Sequence, residues 1–485
     1  MKHYKTVLPI MFLVVAAAAI FISGIVSDVH LGDEALHYRM AQYIYHSNVW
    51  PVYDPLNQTY GPYKWYYQEP MLWHTFLAAI WKLTGISQAA AQLYQVLYFI
   101  ILAVSTYHII KKLYDDKTAR DGILIITTMP VVVALSIILH TDIPLAALAA
   151  LSFMFLINEK YFLSGMVFGL MFIMKRPVYI ILPAFLVFII CYNKGLARQR
   201  IKNISTFLIA SLPFALLALF HRKVMLGMQR ELLNMPPALF DNPANINFIF
   251  KEVSDMRSLP LNAVIYLGVP LICGVAFYFL NIKKIIINKD APILAGIAMF
   301  MVIYFKVFWN TLIARYLVVC IPFLVIIAAR GLSFVKNVQV KRLIVTIAVI
   351  QFFLTCIYTA KERIIPDDTK QAYAYIKNNT PVDARIMCSR FDIPLYSDRR
   401  CIWNNYMALS EMPYLFWKAN DEDMLKVWNK YGIDYLLVDK RRIYDDSKVQ
   451  HQLGWPYSFV KNMPNLKHLE PVLENKTVSL WKVSR

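Results

Sequence analysis

Long apolar stretches separated by short charged loops run through the first three-quarters of the chain. A crossing of the hydrocarbon layer takes about 20 apolar residues. Val7–Val26, Ala89–Ile110, Ile123–Leu139, Ile143–Ile157, Phe162–Met174, Val178–Tyr192, Ile204–Phe220, Leu261–Leu280, Ala291–Trp309, Leu312–Ala329 and Leu343–Tyr358 all approach that length. The shortest of them suit tilted or locally thinned crossings. The pattern therefore predicts a polytopic α-helical membrane protein with about eleven transmembrane helices. Met71–Thr84 is apolar but only about 14 residues long, the range of interfacial or re-entrant segments. After Tyr358 the pattern changes. Residues Ala360–Arg485 are charged, broken by prolines and long enough for a domain of their own. Helices are expected at Asp367–Asn378 and Asp421–Tyr431, an extended segment at Ala384–Cys388, a buried strand at Tyr435–Asp439 and a hairpin over Leu473–Val483.

Composition supports the membrane reading. The 485 residues are 58% hydrophobic and 17% charged, against about 25% charged in soluble domains. Met1–Val26 starts with Lys2 and Lys5 like a signal peptide, but its apolar run is long and Ser23-Gly24-Ile25 is a weak cleavage site, so it reads as an uncleaved first helix. Of 50 basic and 31 acidic residues, 20 and 16 lie from Lys361 onward, so the net charge of +19 is concentrated in the membrane part. Lys2/Lys5, Lys111/Lys112/Lys117/Arg120, Lys160, Lys194/Arg198/Arg200/Lys202, Lys283/Lys284/Lys289 and Arg330/Lys336/Lys341/Arg342 then fall on one side. The positive-inside rule makes that side cytoplasmic, with the N-terminus inside and the C-terminus outside the cell membrane. Nucleic acid is not needed as a partner. Counting Met71–Thr84 as a span would reverse every later loop, so it is expected as an amphipathic helix on the outer face. The organisation expected is a membrane domain over 1–359, with a large extracytoplasmic loop at 27–88, and a small extracytoplasmic α/β domain over 360–485. Six cysteines are too few for a disulfide scaffold. Cys388 and Cys401 are candidates to pair if their domain faces an oxidising compartment.

Candidate chemistry concentrates in the first outer loop. Gly32-Asp33-Glu34-Ala35 opens a helix on which Asp33 and His37 share one face and Glu34 and Tyr38 the next. Adjacent carboxylates at a membrane boundary are costly and call for a reason. Capping a helix with Asp33 is one reason, and removing a proton from an acceptor hydroxyl is another. The two can coexist. Trp50, Tyr53, Asp54, Tyr60, Tyr63, Trp65, Tyr66 and Tyr67 follow, an aromatic density beside acids that suits a saccharide. Aromatics also populate membrane interfaces with no ligand at all.

In this order and spacing, Gly32-Asp33-Glu34-Ala35, Tyr66-Tyr67-Gln68-Glu69-Pro70-Met71-Leu72, His140-Thr141-Asp142-Ile143-Pro144, Met174-Lys175-Arg176-Pro177 and Ala314-Arg315-Tyr316-Leu317 make the chain resemble the GT-C superfamily of polytopic glycosyltransferases. That superfamily uses polyprenyl-phosphate sugars, and the resemblance is to its protein O-mannosyltransferase and lipid A aminoarabinose transferase members. It covers nearly the whole chain. It implies Asp33 as general base with Glu34 as its partner acid, and Asp142 as a further acid near the site. Lys175 and Arg176 take the position of cations facing the lipid phosphate. Snorkelling at a helix end is their alternative, but their outer-side position runs against the charge bias. Arg315 is similarly isolated, and a guanidinium matches phosphate in bidentate fashion. His37, Tyr38, Asp54, Tyr66, Tyr67 and Glu69 are candidates for acceptor or sugar contacts. Relatives often have a lysine or histidine before paired prolines where this chain has Glu69-Pro70-Met71, so a lysine contact of the family is missing there.

The reading is an inverting glycosyltransferase. It takes a polyprenyl-phosphate sugar as donor and a cell-envelope lipid, glycan or protein hydroxyl as acceptor. No cofactor is expected. His30, Asp33, His37, His140 and Asp142 supply hard-ion ligand types, but without a strong ligand spacing such as His-Glu-x-x-His. A transporter or flippase of lipid-linked sugars predicts interrupted helices in two related halves, and no internal repeat is evident. A non-catalytic envelope assembly protein is the other alternative.

Overall fold

The computed structural model describes residues 2–29, 33–50, 71–175, 178–192, 196–233, 267–281, 291–308, 318–390, 392–403, 421–444 and 455–484. The chain groups into two compact units. Unit 1 comprises Met1–Ser27, Glu69–Arg222 and Glu252–Glu362; unit 2 comprises Asp28–Gln68, Lys223–Lys251 and Arg363–Arg485.

Unit 1 is helical. Its helices include α1 (Lys2–Ile25), α3 (Leu72–Thr84), α4 (Gln88–Leu113), α5 (Asp116–Thr128), α6 (Pro130–Ile137), α7 (Asp142–Ile157), α8 (Tyr161–Phe172), α9 (Val178–Tyr192) and α10 (Ala197–Leu233). Further along come α11 (Val269–Leu280), α12 (Ala291–Phe308), α13 (Ile321–Ser333) and α14 (Val338–Glu362); α2 (Asp33–Ser47) precedes α3 and belongs to unit 2. Among the described residues, stretches in Gln88–Leu113, Ala197–His221 and Val338–Asn379 are long and apolar enough to cross a membrane. Shorter apolar helices include α7, α8 and α11. This is a multi-pass membrane protein.

The expected span Ile123–Leu139 is two helices. Pro130 has no N–H to bond the preceding turn and its ring crowds the carbonyl four residues back, so α5 ends at Thr128 and α6 leaves at 54° to it. Against α4, α3 is one-sided. Trp73, His74, Leu77, Ala78 and Trp81 are buried, whereas Phe76 and Leu83 are exposed. Gly85, at φ 77°, turns the chain back and bonds its N–H to the Trp81 carbonyl. Ser87 then caps α4 by accepting the N–H of Ala90 at 3.3 Å.

Small residues set the closest helix approach. A Cβ on Gly331 of α13 would lie 1.8 Å from the Gly274 carbonyl oxygen of α11, and one on Gly274 would lie 2.5 Å from that of Ala328. Backbones meet there, as small residues permit between membrane helices.

In unit 2, β1 (Arg385–Cys388), β2 (Arg400–Trp403), β3 (Tyr435–Asp439), β6 (Leu469–Glu474) and β7 (Val478–Val483) form a sheet of order β2-β1-β3-β7-β6. β1 is parallel to both β2 and β3, and β7 is antiparallel to β3 and β6. A separate two-stranded pair joins β4 (Ile443–Tyr444) and β5 (Trp455–Pro456). β3 is buried along its whole length because its alternating side chains enter two cores. Leu436 and Val438 join Trp428, Tyr431 and Trp481 on one face. Tyr435 and Leu437 join Tyr373, Ile376 and Leu480 on the other. The expected helix at Asp421–Tyr431 and strand at Tyr435–Asp439 have those bounds. The expected terminal hairpin begins earlier, at Leu469, and Asn475 turns it by accepting the N–H groups of Thr477 and Val478. Cys388 and Cys401 are buried and form no disulfide. Register sets Cys401 opposite Ile386, two residues short of Cys388, which puts their Cα atoms roughly 8 Å apart, beyond disulfide reach.

Gly331→Ala is expected to separate α11 from α13 and lower the midpoint of detergent-phase thermal unfolding, because its Cβ would meet backbone atoms. An unchanged midpoint would show that the backbone contact carries no stability.

Candidate functional site

Two groups of the expected site residues are described, one in each unit.

In unit 2 the residues ahead of α2 are stitched to the segment that follows residue 362. The Asp28 N–H donates to the Arg363 carbonyl at 3.0 Å. Its carboxylate accepts the Ile365 N–H at 2.8 Å and pairs with Lys370 at 3.0 Å. The Tyr396 hydroxyl accepts from Val29 N and donates to Val29 O. Burial, reinforced by the nearby Asp28 carboxylate, pushes the Tyr396 phenol up, so it stays protonated and able to donate. Arg363 grips Glu34 with both arms of its guanidinium, Nη2 to Oε1 at 2.6 Å and Nε to Oε2 at 3.2 Å. Both side chains are fully buried. Bidentate, charge-assisted contacts of this kind fix orientation as well as charge. Asp33 is the first residue of α2, so the Glu34 clamp sits one residue from the candidate base. His37 and Tyr38 are buried, and burial pushes the Tyr38 phenol up to about 12.

In unit 1, Asp142 opens α7. Its carboxylate bonds the Lys175 ammonium, and both side chains are almost wholly buried. His140 Nδ1 lies 3.0 Å from the other carboxylate oxygen and 3.3 Å from the Asp142 amide nitrogen. Three chain segments meet here. Lys175 follows the end of α8, where its N–H bonds the Met171 carbonyl. The first amide of α3, at Leu72, donates to the Ile173 carbonyl at 3.3 Å. His74, from the first turn of α3, is buried beside His140, and burial together with that neighbour pulls its imidazole down to about 3. A buried lysine held by a buried aspartate is a fixed cation whose charge is partly offset.

The break before α7 is held by two glutamines of α4. Gln92 Nε2 donates to the Ser136 carbonyl at 2.8 Å. Gln95 Nε2 donates to the carbonyls of Leu135 and His140, each at 2.9 Å, and reaches Ile138 O at 3.4 Å. These carbonyls belong to the end of α6 and the link beyond it, where the intrahelical ladder runs out. Gln92, Gln95, His74 and Arg363 were missed by sequence reasoning. Two glutamines within one apolar span were a usable signal, because polar side chains in such a setting are expensive and retained for a task. Arg363, in the charged run Lys361-Glu362-Arg363, gives no such signal.

Asp54, Tyr66, Tyr67, Glu69, Arg176 and Arg315 lie outside the described residues, as does the side chain of Asp33. Among the described residues no group of three or more His, Cys, Asp or Glu side chains is arranged to hold a metal ion.

Residues 68–221 match the family model described as dolichyl-phosphate-mannose-protein mannosyltransferase. A search of the curated proteins finds no match. Among solved structures, ArnT from Cupriavidus metallidurans bound to undecaprenyl phosphate superposes with a TM-score of 0.68 at 12% identity, covering 97% of each chain. The oligosaccharyltransferase of Archaeoglobus fulgidus in its apo form matches with a TM-score of 0.64 at 14% identity, over 94% of this chain and 73% of that one. The arabinofuranosyltransferase AftD from Mycobacteria matches with a TM-score of 0.52 at 12% identity, over 98% of this chain and 40% of that one.

Arg363→Met leaves the Glu34 carboxylate buried and unpaired, which is expected to cost about 3–5 kcal/mol of local stability. Adding Glu34→Gln should recover much of it. Thermal unfolding of the purified chain reads both effects, and an unchanged midpoint for Arg363→Met would show that the pair is dispensable. The chain thus shares the polytopic helical fold of ArnT, the oligosaccharyltransferase and AftD.

Proposed function

We propose that the protein is an inverting glycosyltransferase. It moves a sugar from a polyprenyl-phosphate donor to a hydroxyl of a cell-envelope lipid, glycan or protein at the extracytoplasmic face of the cell membrane. The observation that carries this reading is the match, over nearly all of both chains, to a transferase fold solved with undecaprenyl phosphate bound. The match of residues 68–221 to a mannosyltransferase family model supports the same reaction class.

In this mechanism Asp33 takes the proton of the acceptor hydroxyl while that oxygen attacks the anomeric carbon and the polyprenyl phosphate leaves. Glu34 is a positioning residue. Clamped by Arg363, it fixes the first turn of α2 and with it the backbone of Asp33. Lys175, Arg176 and Arg315 offset the charge that develops on the departing phosphate, a fixed-charge contribution of the oxyanion-hole type. Asp142 holds Lys175 in place. Charged and polar groups at the membrane surface supply the chemistry, and the apolar helices receive the polyprenyl tail.

Replacement of Asp33 by Asn preserves size and capping ability but removes the base. General-base catalysis contributes about 10²–10⁴-fold, so sugar transfer in membranes carrying Asp33→Asn is expected to fall by that order. Undiminished transfer would remove Asp33 from the reaction. Mass spectrometry of envelope glycans from a deletion strain identifies the sugar and acceptor, and an unaltered glycan profile would overturn the proposed activity.

A further inference from the structure

The end of unit 1 remote from Asp142 carries a second polar–apolar junction. α4 and α7 pack side by side and run in the same direction. Gln95 bonds the carbonyl of His140, just before α7, and the far ends of both helices line one groove of about 950 Å³. Its lining along α7 runs from Leu151 to Asn158, so this groove lies about 14–24 Å along the helix from Asp142 at 1.5 Å per residue. Val104, Leu151 and Phe155 are part of its apolar floor, and His108, Lys112 and Lys160 stand at its polar end.

Two features extend the junction. On the groove side of α4, Leu93, Leu97 and Val104 are exposed. Their spacing of three to four residues or its multiples makes one stripe along the helix, which continues to His108. At the other end Lys160 is shared with a neighbouring groove of about 520 Å³, lined also by Lys202, Gln199 and Asn203. Acidic groups are present too. Asp116 pairs with Lys111 at 3.4 Å and Arg120 at 3.1 Å and accepts from the Tyr107 hydroxyl, and Glu159 lines the neighbouring groove. The cations Lys111, Lys112 and Lys160, beside the His108 imidazole, nevertheless outnumber them at the rim of the larger groove.

An apolar floor that continues a hydrocarbon-facing stripe and ends in lysines matches one class of molecule, an anion with a hydrocarbon tail. We propose that the groove between the distal ends of α4 and α7 is a binding site for an anionic glycerophospholipid. The phosphate headgroup lies among His108, Lys112 and Lys160, and an acyl chain lies along Val104 toward Leu97. The site belongs to the leaflet on the side of the basic loops. It is separate from the proposed donor site and does not depend on glycosyl transfer.

Native mass spectrometry of the full chain tests this. The protein is stripped of lipid and presented with mixed micelles of phosphatidylglycerol and phosphatidylcholine. The unaltered protein is expected to retain phosphatidylglycerol in preference. Lys112→Glu with Lys160→Glu should weaken that retention about fivefold for each lysine, roughly thirtyfold together, from the typical worth of a basic residue at an anionic surface. Phosphatidylcholine retention should not change. Val104→Trp, which leaves the charges intact and fills the floor, should reduce retention of both lipids. Absence of a headgroup preference in the unaltered protein, or equal retention of phosphatidylglycerol by the charge-reversed variant, overturns the proposal.

Discussion

A backbone carbonyl that leaves a helix inside an apolar assembly has no water to turn to and must find a donor within the protein. Unit 1 meets that constraint at the link between α6 and α7, where Gln92 and Gln95 of α4 supply the donors. An orphaned buried acceptor costs about 1–3 kcal/mol, and four carbonyls draw on these two amides. The arrangement fixes more than energy. It holds the chain from Leu135 to His140 in one path, and so determines where α7 starts. Asp142 is the first residue of α7, and from there its carboxylate meets Lys175 and His140. The acid in unit 1 is placed by polar satisfaction of an interrupted helix.

Unit 2 uses ion pairs for a similar purpose. Burying Glu34 with Arg363 adds little net stability over an apolar pair, because desolvation offsets most of the attraction. Breaking or misplacing one partner is far more costly, so such a pair acts mainly to specify one arrangement. Arg390 does the same at the ends of β1 and β3, bonding Asp392 at 2.7 and 3.0 Å and Asp439 at 2.8 Å. Burial pushes the Asp439 carboxyl up, but Arg390 and Arg441 outweigh it and hold it below the ordinary carboxylate range. A carboxylate depressed in the folded state stabilises that state at neutral pH, and the contribution is lost on acidification.

Helices of unit 1 were legible because hydropathy is a local property that each apolar run carries by itself. In 360–485 the helix at Asp421–Tyr431, β1, β3 and the terminal hairpin were legible from alternation and charged borders for the same reason, whereas β2 was not read and β4 and β5, of two residues each, are too short to carry a pattern. The division of Ile123–Leu139 was not read, although Pro130 stood in the middle of it, since an apolar window averages over a single proline. Asp142 and Lys175 were picked out singly, by position and type. Their pairing was not, because it depends on the α6–α7 break and on the end of α8. Glu34 was read as half of an acidic pair. What orients it is Arg363, 329 residues away, a separation at which no periodicity or local motif carries information. The contacts that group Asp28–Gln68 with Arg363–Arg485 were invisible for the same reason.

That separation has a bearing on how the protein is made. Asp28, Val29 and Glu34 leave the ribosome long before Arg363, Ile365 and Tyr396, with the membrane helices of unit 1 synthesised in between. β7 comes later still, yet it lies inside the sheet between β3 and β6. The early segment must therefore wait, unpaired, through most of translation, and the acid-bearing turn takes its final form among the last events of biogenesis. A ribosome that stalls after the membrane helices would release an inserted protein whose Asp33 turn has nothing to hold it.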